Sequence, residues 1–411
     1  MRSSRTGATS PPQAASSHSE SATALARIAG AAVACGAARA GGTLHPREVE
    51  VLRHAAPVSA GEAKAVRDAI IDGADPLGEA FLAARSPERR RRDGAFYTGD
   101  SIVRPMLEWM LQFEPARLID TGCGSGRFAA AALRANPRFH VVAVDADPIA
   151  TLMTRAVAAT LGARNVRVVC GDFLRVEIER CAGRTGFVGN PPYVRHHDLT
   201  AATKEYAKRL ALDAGLRASG LSGLHAWFFV ATCVRHAVRG DVGAYVTSAQ
   251  WLDARYGAMV RQLLSGPMGG RSLLGFDVTS SPFDAMTTAT IATFEIGRSV
   301  DTMLFGKRPH ADDAFELERT GNAIAADALR ACARWSEFFE HAETHEESAE
   351  TIGSAFRVSR GQVTGNNGFF VMSRGRAIDL GIDAFCIPVI ASAREVLTSG
   401  GTVGNTPERQ V

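Results

Sequence analysis

Short apolar runs rich in β-branched residues recur between residues 117 and 296, and longer stretches separate them in which apolar positions return at helical spacing. The runs Arg117 to Ile119, Phe139 to Val144, Val166 to Val169, Gly186 to Val188, Val242 to Val246, Leu273 to Phe276 and Thr290 to Ile296 predict seven strands. Strands alternating with helices imply an α/β, Rossmann-like fold: a mostly parallel sheet with helices on both faces. Around this core, residues 93–300, the pattern changes. Residues 1–40 read as a disordered or Ala-rich tail, without periodicity to about residue 22 and then small and apolar from Ile28 to Ala38. Residues 41–92 read as a helical N-terminal segment, 301–350 as a charged helical linker and 351–411 as a small C-terminal fragment. The Ile28 run lies too far in, behind Glu20 and Arg27, for a secretory leader, and no run reaches bilayer-spanning length.

Ligands of open α/β sheets collect outside the carboxyl ends of the strands. Four successive strand ends carry a glycine turn (Asp120-Thr121-Gly122-Cys123-Gly124-Ser125-Gly126), Asp145, Asp172 and Asn190, which predicts one shared cleft. Asp145 either accepts from both hydroxyls of a ribose or turns the chain before Pro148. Asp172 either accepts from the amino group of an adenine, with Phe173 beside that ring, or is an ordinary loop acid. Asp120 either orients the glycine loop or caps the helix after it.

The fourth end is Asn190-Pro191-Pro192-Tyr193. An exocyclic amine conjugated to a ring is a poor nucleophile until it is made more tetrahedral. The Asn190 side-chain oxygen and the Pro191 carbonyl can accept its two hydrogens, directing the lone pair at a methyl group in line for displacement. Pro191 and Pro192 fix φ and remove competing donors, and Tyr193 offers a stacking face. Glycine turn and tetrapeptide together imply N-methylation from S-adenosylmethionine. Gly124 to Ala129 also fits the dinucleotide pattern G-x-G-x-x-A, with Asp145 about twenty residues on. Hydride transfer, however, calls for neither the second acid nor the tetrapeptide.

With these motifs the chain resembles the amino-type DNA methyltransferases that act on N6 of adenine. Gly94-Ala95-Phe96-Tyr97-Thr98 is similar to the family's element contacting the methionine part of the cofactor, although Gly99 stands where proline is usual. Asp75 to Phe81 is similar to a lead-in of the restriction-modification branch. The resemblance implies a class I S-adenosylmethionine-dependent fold, with Phe96, Tyr97, Thr98, Asp120, Gly122, Gly124, Gly126, Asp145, Asp172 and Phe173 binding cofactor. It makes Asn190, Pro191, Pro192 and Tyr193 catalytic, and double-stranded DNA the substrate. The motif order is the family's gamma arrangement, in which target recognition lies C-terminally, so Arg360 to Val371 resembles the opening of such a domain and Thr364, Asn366 and Asn367 become base-reading candidates. About forty residues follow Phe370, fewer than a complete recognition domain needs. Either another chain, a specificity or restriction subunit, supplies recognition, or specificity is weak or lost. Phe283 is the candidate for stacking on an adenine flipped from the duplex. Lys204, Lys208 and Arg209, interleaved with Tyr206, either meet phosphates or form a solvated helix face.

Composition narrows the choice only slightly. With 411 residues, 46% hydrophobic and a formal charge of +3, the chain has material for a large core but lacks the overall basicity that would mark nucleic-acid binding. The seven cysteines form no C-x-x-C pair, no zinc-ligand spacing joins them to histidine, and none follows a proline as in cytosine-C5 enzymes. A cytoplasmic, metal-free enzyme is the expectation. The E-x-K at Glu62 to Lys64 lacks a preceding acid, which argues against a fused nuclease. Two other readings stay open: N-methylation of protein glutamine or RNA guanine, and a non-catalytic DNA-binding relative.

Overall fold

The computed structural model describes residues 13–86, 89–90, 94, 98–276, 288–308, 318, 321–340, 370–387, 389 and 409–410. The chain divides into two compact units, Met1–Thr344 and His345–Val411.

The first unit is built on one sheet of nine strands. The seven expected runs become β1 (Arg117–Thr121), β2 (His140–Asp145), β3 (Val166–Cys170), β4 (Thr185–Gly189), β5 (Val242–Ser248), β6 (Gly270–Phe276) and β7 (Ala289–Glu295). Strand order is β3-β2-β1-β4-β5-β7-β6-β8-β9. The first five in that order are parallel, and β7 runs antiparallel between β5 and β6. Every residue of β1, β4 and β5 is buried, because these strands have helices on both faces. The chain winds outward from β1 through β2 to β3 and then returns to the other side of β1 as β4. The switch point therefore opens between β1 and β4.

The expectation of seven strands is corrected to nine, and residues 301–350 are not a helical linker throughout. β8 (Thr302–Arg308) pairs parallel with β6, β9 (Asn322–Ala325) pairs antiparallel with β8, and the helix Ala326–Ala331 follows β9. Met303 and Phe305 alternate into the core, where Trp335 and Phe338 cover them. Charged neighbours masked this short alternation in the sequence.

The N-terminal tail is also corrected. A helix, α1 (Gln13–Ala34), precedes α2 (Pro46–Arg53), α3 (Ala60–Ile71), α4 (Pro76–Ala83) and α5 (Asp100–Leu111). Its Ile28, Ala31 and Ala32 are buried with Leu152, Met153, Ala156 and Val157 of the helix Pro148–Thr160. Small side chains that gave no periodic signal allow close helix approach: a Cβ at Gly30 would collide with the Ala56 carbonyl at 1.7 Å. Glu62 of the E-x-K is the N-terminal capping acid of α3, and Lys64 pairs with Asp68. The remaining helices of this unit are α6 (Arg127–Ala135), α7 (Pro148–Thr160), α8 (Ala201–Asp213), α9 (Leu224–Ala231), α10 (Ala258–Leu264) and α11 (Ala326–Ala331).

In the second unit, β10 (Met372–Ser373) pairs antiparallel with β11 (Arg409–Gln410), and Ser373 caps α12 (Arg374–Asp379) by accepting from the Arg376 N–H at 3.3 Å. Thr364, Asn366 and Asn367 lie outside the described residues, as do Phe96, Tyr97 and Phe283.

Candidate active site

The loops leaving β1 and β4 face each other across the switch point. A Cβ placed on Gly122, at φ +73°, would stand 3.6 Å from Pro192 Cδ, 3.8 Å from Phe228 Cε1 and 4.0 Å from the Asn190 carbonyl oxygen. Glycine turn and tetrapeptide thus share one crevice. Among the described residues none beyond its chain neighbours comes within 4 Å of the Cβ position of Gly124, so a ligand has room to approach the backbone there.

Buried acids brace the turn. Asp145 accepts from the Gly124 N–H at 2.8 Å and from the Asp147 N–H at 2.8 Å, and each oxygen keeps lone-pair capacity for a hydroxyl. Turning the chain before Pro148 falls to Asp147, which accepts from the Ile149 N–H at the start of α7. Asp120 accepts from the Ala129 N–H at 3.1 Å in the first turn of α6, as the capping alternative expects, and its Oδ1 has no partner. Burial pushes the Asp120 carboxyl up to about 7, with the Asp145 charge adding to the effect, and pushes Asp145 up to about 6. Asp172 accepts from the Leu174 N–H at 3.0 Å and lies 3.4 Å from the Arg175 guanidinium. The Phe173 ring is only 3% exposed, stacked on Phe228 at 4.9 Å and 4.5 Å from His236. It is a wall of the core rather than an open face.

The N-terminal helices reach the same loops from behind. Asp75 caps α4 and accepts from the Ser125 hydroxyl at 2.5 Å, while Arg85 pairs with Asp147. These supports escaped the sequence reading because each joins residues some fifty to sixty positions apart.

At the tetrapeptide, the Asn190 Nδ2 donates to the Thr98 hydroxyl at 3.0 Å, and the buried Oδ1 has no partner among the described residues. The amide therefore presents its acceptor end. The Tyr193 N–H donates to the Gly94 carbonyl at 3.2 Å, and a Cβ at Gly94, whose φ is +64°, would lie 2.4 Å from the Tyr193 nitrogen. Gly94 and Thr98 thus clamp the tetrapeptide at both ends. Burial raises the Tyr193 phenol pKa far above its usual range, so the ring stays neutral.

Helix α9 forms the floor, its Leu224 N–H bonded to the Val194 carbonyl at 2.9 Å. It places Phe228 against Gly122 and His225 edge-on to Tyr193, ring centroids 6.0 Å apart. Tyr256 also makes an edge contact with His225, centroids 6.1 Å apart. The sequence placed His225 only within a segment, Val194 to Phe229, expected to edge the substrate cleft, and gave it no role of its own; Tyr256 was not singled out. On α8, Tyr206 is clamped by Arg175 stacked over it at 4.4 Å and by an Arg235 bond to its hydroxyl, which removes it as a free stacking platform. Arg209 lies 3.8 Å from Glu205.

Among the described residues no group of three or more His, Cys, Asp and Glu is placed to hold a metal ion, and no helix is long and apolar enough to cross a membrane.

Residues 118–213 match a family model described as a methyltransferase domain. The chain is 36% identical over 366 residues to the Type II methyltransferase M.XamI of Xanthomonas campestris pv. amaranthicola, an alignment covering 87% of this chain and 65% of that relative. It is 34% identical over 128 residues to the release factor glutamine methyltransferase of Deinococcus radiodurans, covering 28% of this chain and 43% of that protein. The chain thus spans less than two thirds of the length of either relative. Among solved structures it is similar to the methyltransferase subunit of a type I restriction-modification system from Streptococcus thermophilus, with a TM-score of 0.46, 16% identity and coverage of 68% and 59% of the two chains. Residues 118–213 are a methyltransferase domain, and the sheet that carries them has the class I S-adenosylmethionine-dependent methyltransferase-like α/β fold.

Proposed function

We propose that this chain transfers a methyl group from S-adenosylmethionine to N6 of an adenine flipped out of double-stranded DNA, as part of a restriction-modification or related defence system. The observation that carries the proposal is the Asn190 amide: its Nδ2 donates to Thr98 while its buried Oδ1 has no partner among the described residues, on a tetrapeptide whose Asn190 carbonyl and Pro192 ring border the glycine turn. The kinship to a Type II methyltransferase supports it.

The residues fit the donor molecule. Open space at Gly124 admits it beside the backbone, Asp145 has acceptor capacity for a ribose, and Asp172 for an adenine amino group. Bound, S-adenosylmethionine supplies a methyl group made electrophilic by its sulfonium. Asn190 Oδ1 and the Pro191 carbonyl accept the two hydrogens of the acceptor amine and leave its lone pair pointing at the donor side. Fixing the two partners in line can remove as much as ~7 to 11 kcal/mol from the barrier. Flipping the base costs a few kcal/mol, which stacking on Tyr193, roughly 1 to 3 kcal/mol per base, offsets in large part. Arg195, Lys204 and Lys208, close to the tetrapeptide in the chain, are the groups suited to the phosphates. Recognition of a particular sequence falls to the C-terminal unit, with Thr364, Asn366 and Asn367 as base-reading residues, or to a partner subunit.

The match to a glutamine methyltransferase favours a second reading, in which the planar acceptor is a protein amide. Radiolabelled donor incubated with genomic DNA, RNA and ribosomal protein separates the two. Label is expected in DNA alone, on adenine, and Asn190→Ala is expected to abolish transfer while donor binding survives. Label confined to protein, or transfer at an undiminished rate by the variant, rejects the proposal.

A further inference from the structure

Helix α9 buries a histidine whose chemistry the fold itself does not use. His225 is 5% exposed, and neither ring nitrogen has a hydrogen-bond partner among the described residues. Burial pushes its pKa down to about 4, so the ring is a neutral imidazole with one donor and one acceptor. Leaving both unmade in the interior is destabilising, and a phenylalanine would fill a similar volume without that penalty. His236, downstream of α9 and likewise buried, shows the usual solution: its Nε2 bonds the Phe173 carbonyl at 2.8 Å. His225 has no such bond among the described residues, yet it makes edge contacts with the rings of both Tyr193 and Tyr256. Three positions before Tyr193, Asn190 Oδ1, assigned above to the substrate amine, is likewise buried with no partner among the described residues.

We propose that His225 is a recognition residue of the acceptor pocket, its imidazole N–H donating to a ring nitrogen of the purine that stacks on Tyr193. Adenine offers ring-nitrogen acceptors on each edge, and with its amine hydrogens taken by Asn190 and Pro191 such a donor fixes the rotation of the base in its own plane. This rests on the DNA-adenine reading. Orientation matters because only one rotation brings the amine into line with the donor methyl group.

The test compares wild type, His225→Phe and His225→Gln with labelled S-adenosylmethionine and genomic DNA, reading kcat, KM for DNA, donor affinity by calorimetry and melting temperature. His225→Phe is expected to lower kcat/KM at least tenfold, leave donor affinity unchanged and melt no lower than wild type. His225→Gln, which restores a donor, should recover part of the loss. Unchanged kcat/KM in His225→Phe overturns the inference and leaves the DNA reading standing. Equal losses in both variants that follow a fall in melting temperature overturn it as well, since that is the signature of packing. A wild type that labels no DNA removes both the parent reading and this contact.

Discussion

Asn190 has two polar side-chain atoms, and Thr98 takes one of them. The tetrapeptide was readable in the sequence because its chemistry is local: an amide, two rings without N–H groups and an aromatic face. Which end of the amide faces the crevice was not readable, since it depends on a contact between residues 92 apart. Gly94 poses the same problem. Its place in the chain only suggested a family element, whereas the structure packs it so tightly against Tyr193 that no side chain fits. Gly94→Ala combines a positive φ with a backbone collision, and neither neighbour is a flexible tip that could move aside. The expected outcome is a fall in transfer rate of at least tenfold with a stability loss of about 1 to 3 kcal/mol, seen by comparing kcat with the urea midpoint. Wild-type kcat in this variant would remove Gly94 from the site. Asp120 and Asp145 were likewise visible as acids at strand ends, but the two roles left open for each could be separated only by finding which N–H groups they accept.

Elements were legible where periodicity was long and illegible where packing alone made them. All seven strands read from β-branched runs are present, because a strand covered on both faces needs nearly continuous apolar sequence. β8 and β9 are additions at the sheet's edge, half buried and flanked by charge: β8 takes its hydrogen bonds from β6, some thirty residues upstream, and β9 takes its own from β8. For helix α1 the sequence offered an Ala-rich helix only from Ile28 on, because Ala and Gly give weak periodicity, yet small residues are what close packing on α7 requires. The helix pair α2 and α7 is locked by a buried ion pair. Arg155, 0% exposed, donates to both oxygens of Glu48, also 0% exposed, and to the carbonyls of Ala40, Gly42, Thr43 and Val168. Glu48→Ala leaves that guanidinium without its counter-charge. A loss of about 3 to 5 kcal/mol is expected, measured as a lowered urea midpoint. A loss under 1 kcal/mol would mean that the carbonyls alone satisfy Arg155. Since α2 to α4 hold Ser125 and Asp147 from behind, donor binding should weaken with it.

At the scale of the molecule, buried titratable groups of opposite kinds set how stability depends on pH. His225 and His236 are pushed from the ordinary 6.5 down to about 4, so the stability they contribute is present above pH 6.5 and lost as pH falls toward 4. Asp120 and Asp145 are pushed from 3.8 up to about 7 and about 6, so theirs is present below pH 3.8 and lost as pH rises through those values. Between pH 4 and 6 the two pairs oppose each other, each group contributing a slope of at most about 1.4 kcal/mol per pH unit. Asp120→Asn keeps an acceptor for the Ala129 N–H and removes one of the falling contributions. Unfolding free energy of the variant should therefore rise more steeply between pH 4 and 7 than that of wild type, by urea titration at several pH values. Parallel profiles would show that Asp120 is charged in the folded protein. The two units and the relatives' greater length also belong to this scale: the methyltransferase domain lies within the first unit, while the base-reading assignment concerns the second.

The sequence by itself determined the alternation of strands and helices, the residues at four strand ends and the place of the proposed reacting tetrapeptide at the fourth, because each depends on neighbours within a few residues. Only the tertiary structure decided that Thr98 bonds the Asn190 amide, that Gly94 clamps Tyr193, that Asp75 at the start of α4 braces the glycine turn, and that His225, edge-on to Tyr193, has no hydrogen-bond partner among the described residues. Those facts depend on which distant residues share a contact once the sheet has formed. Local propensity carries no record of them, and steric fit and unmet hydrogen bonds across the switch point fix them.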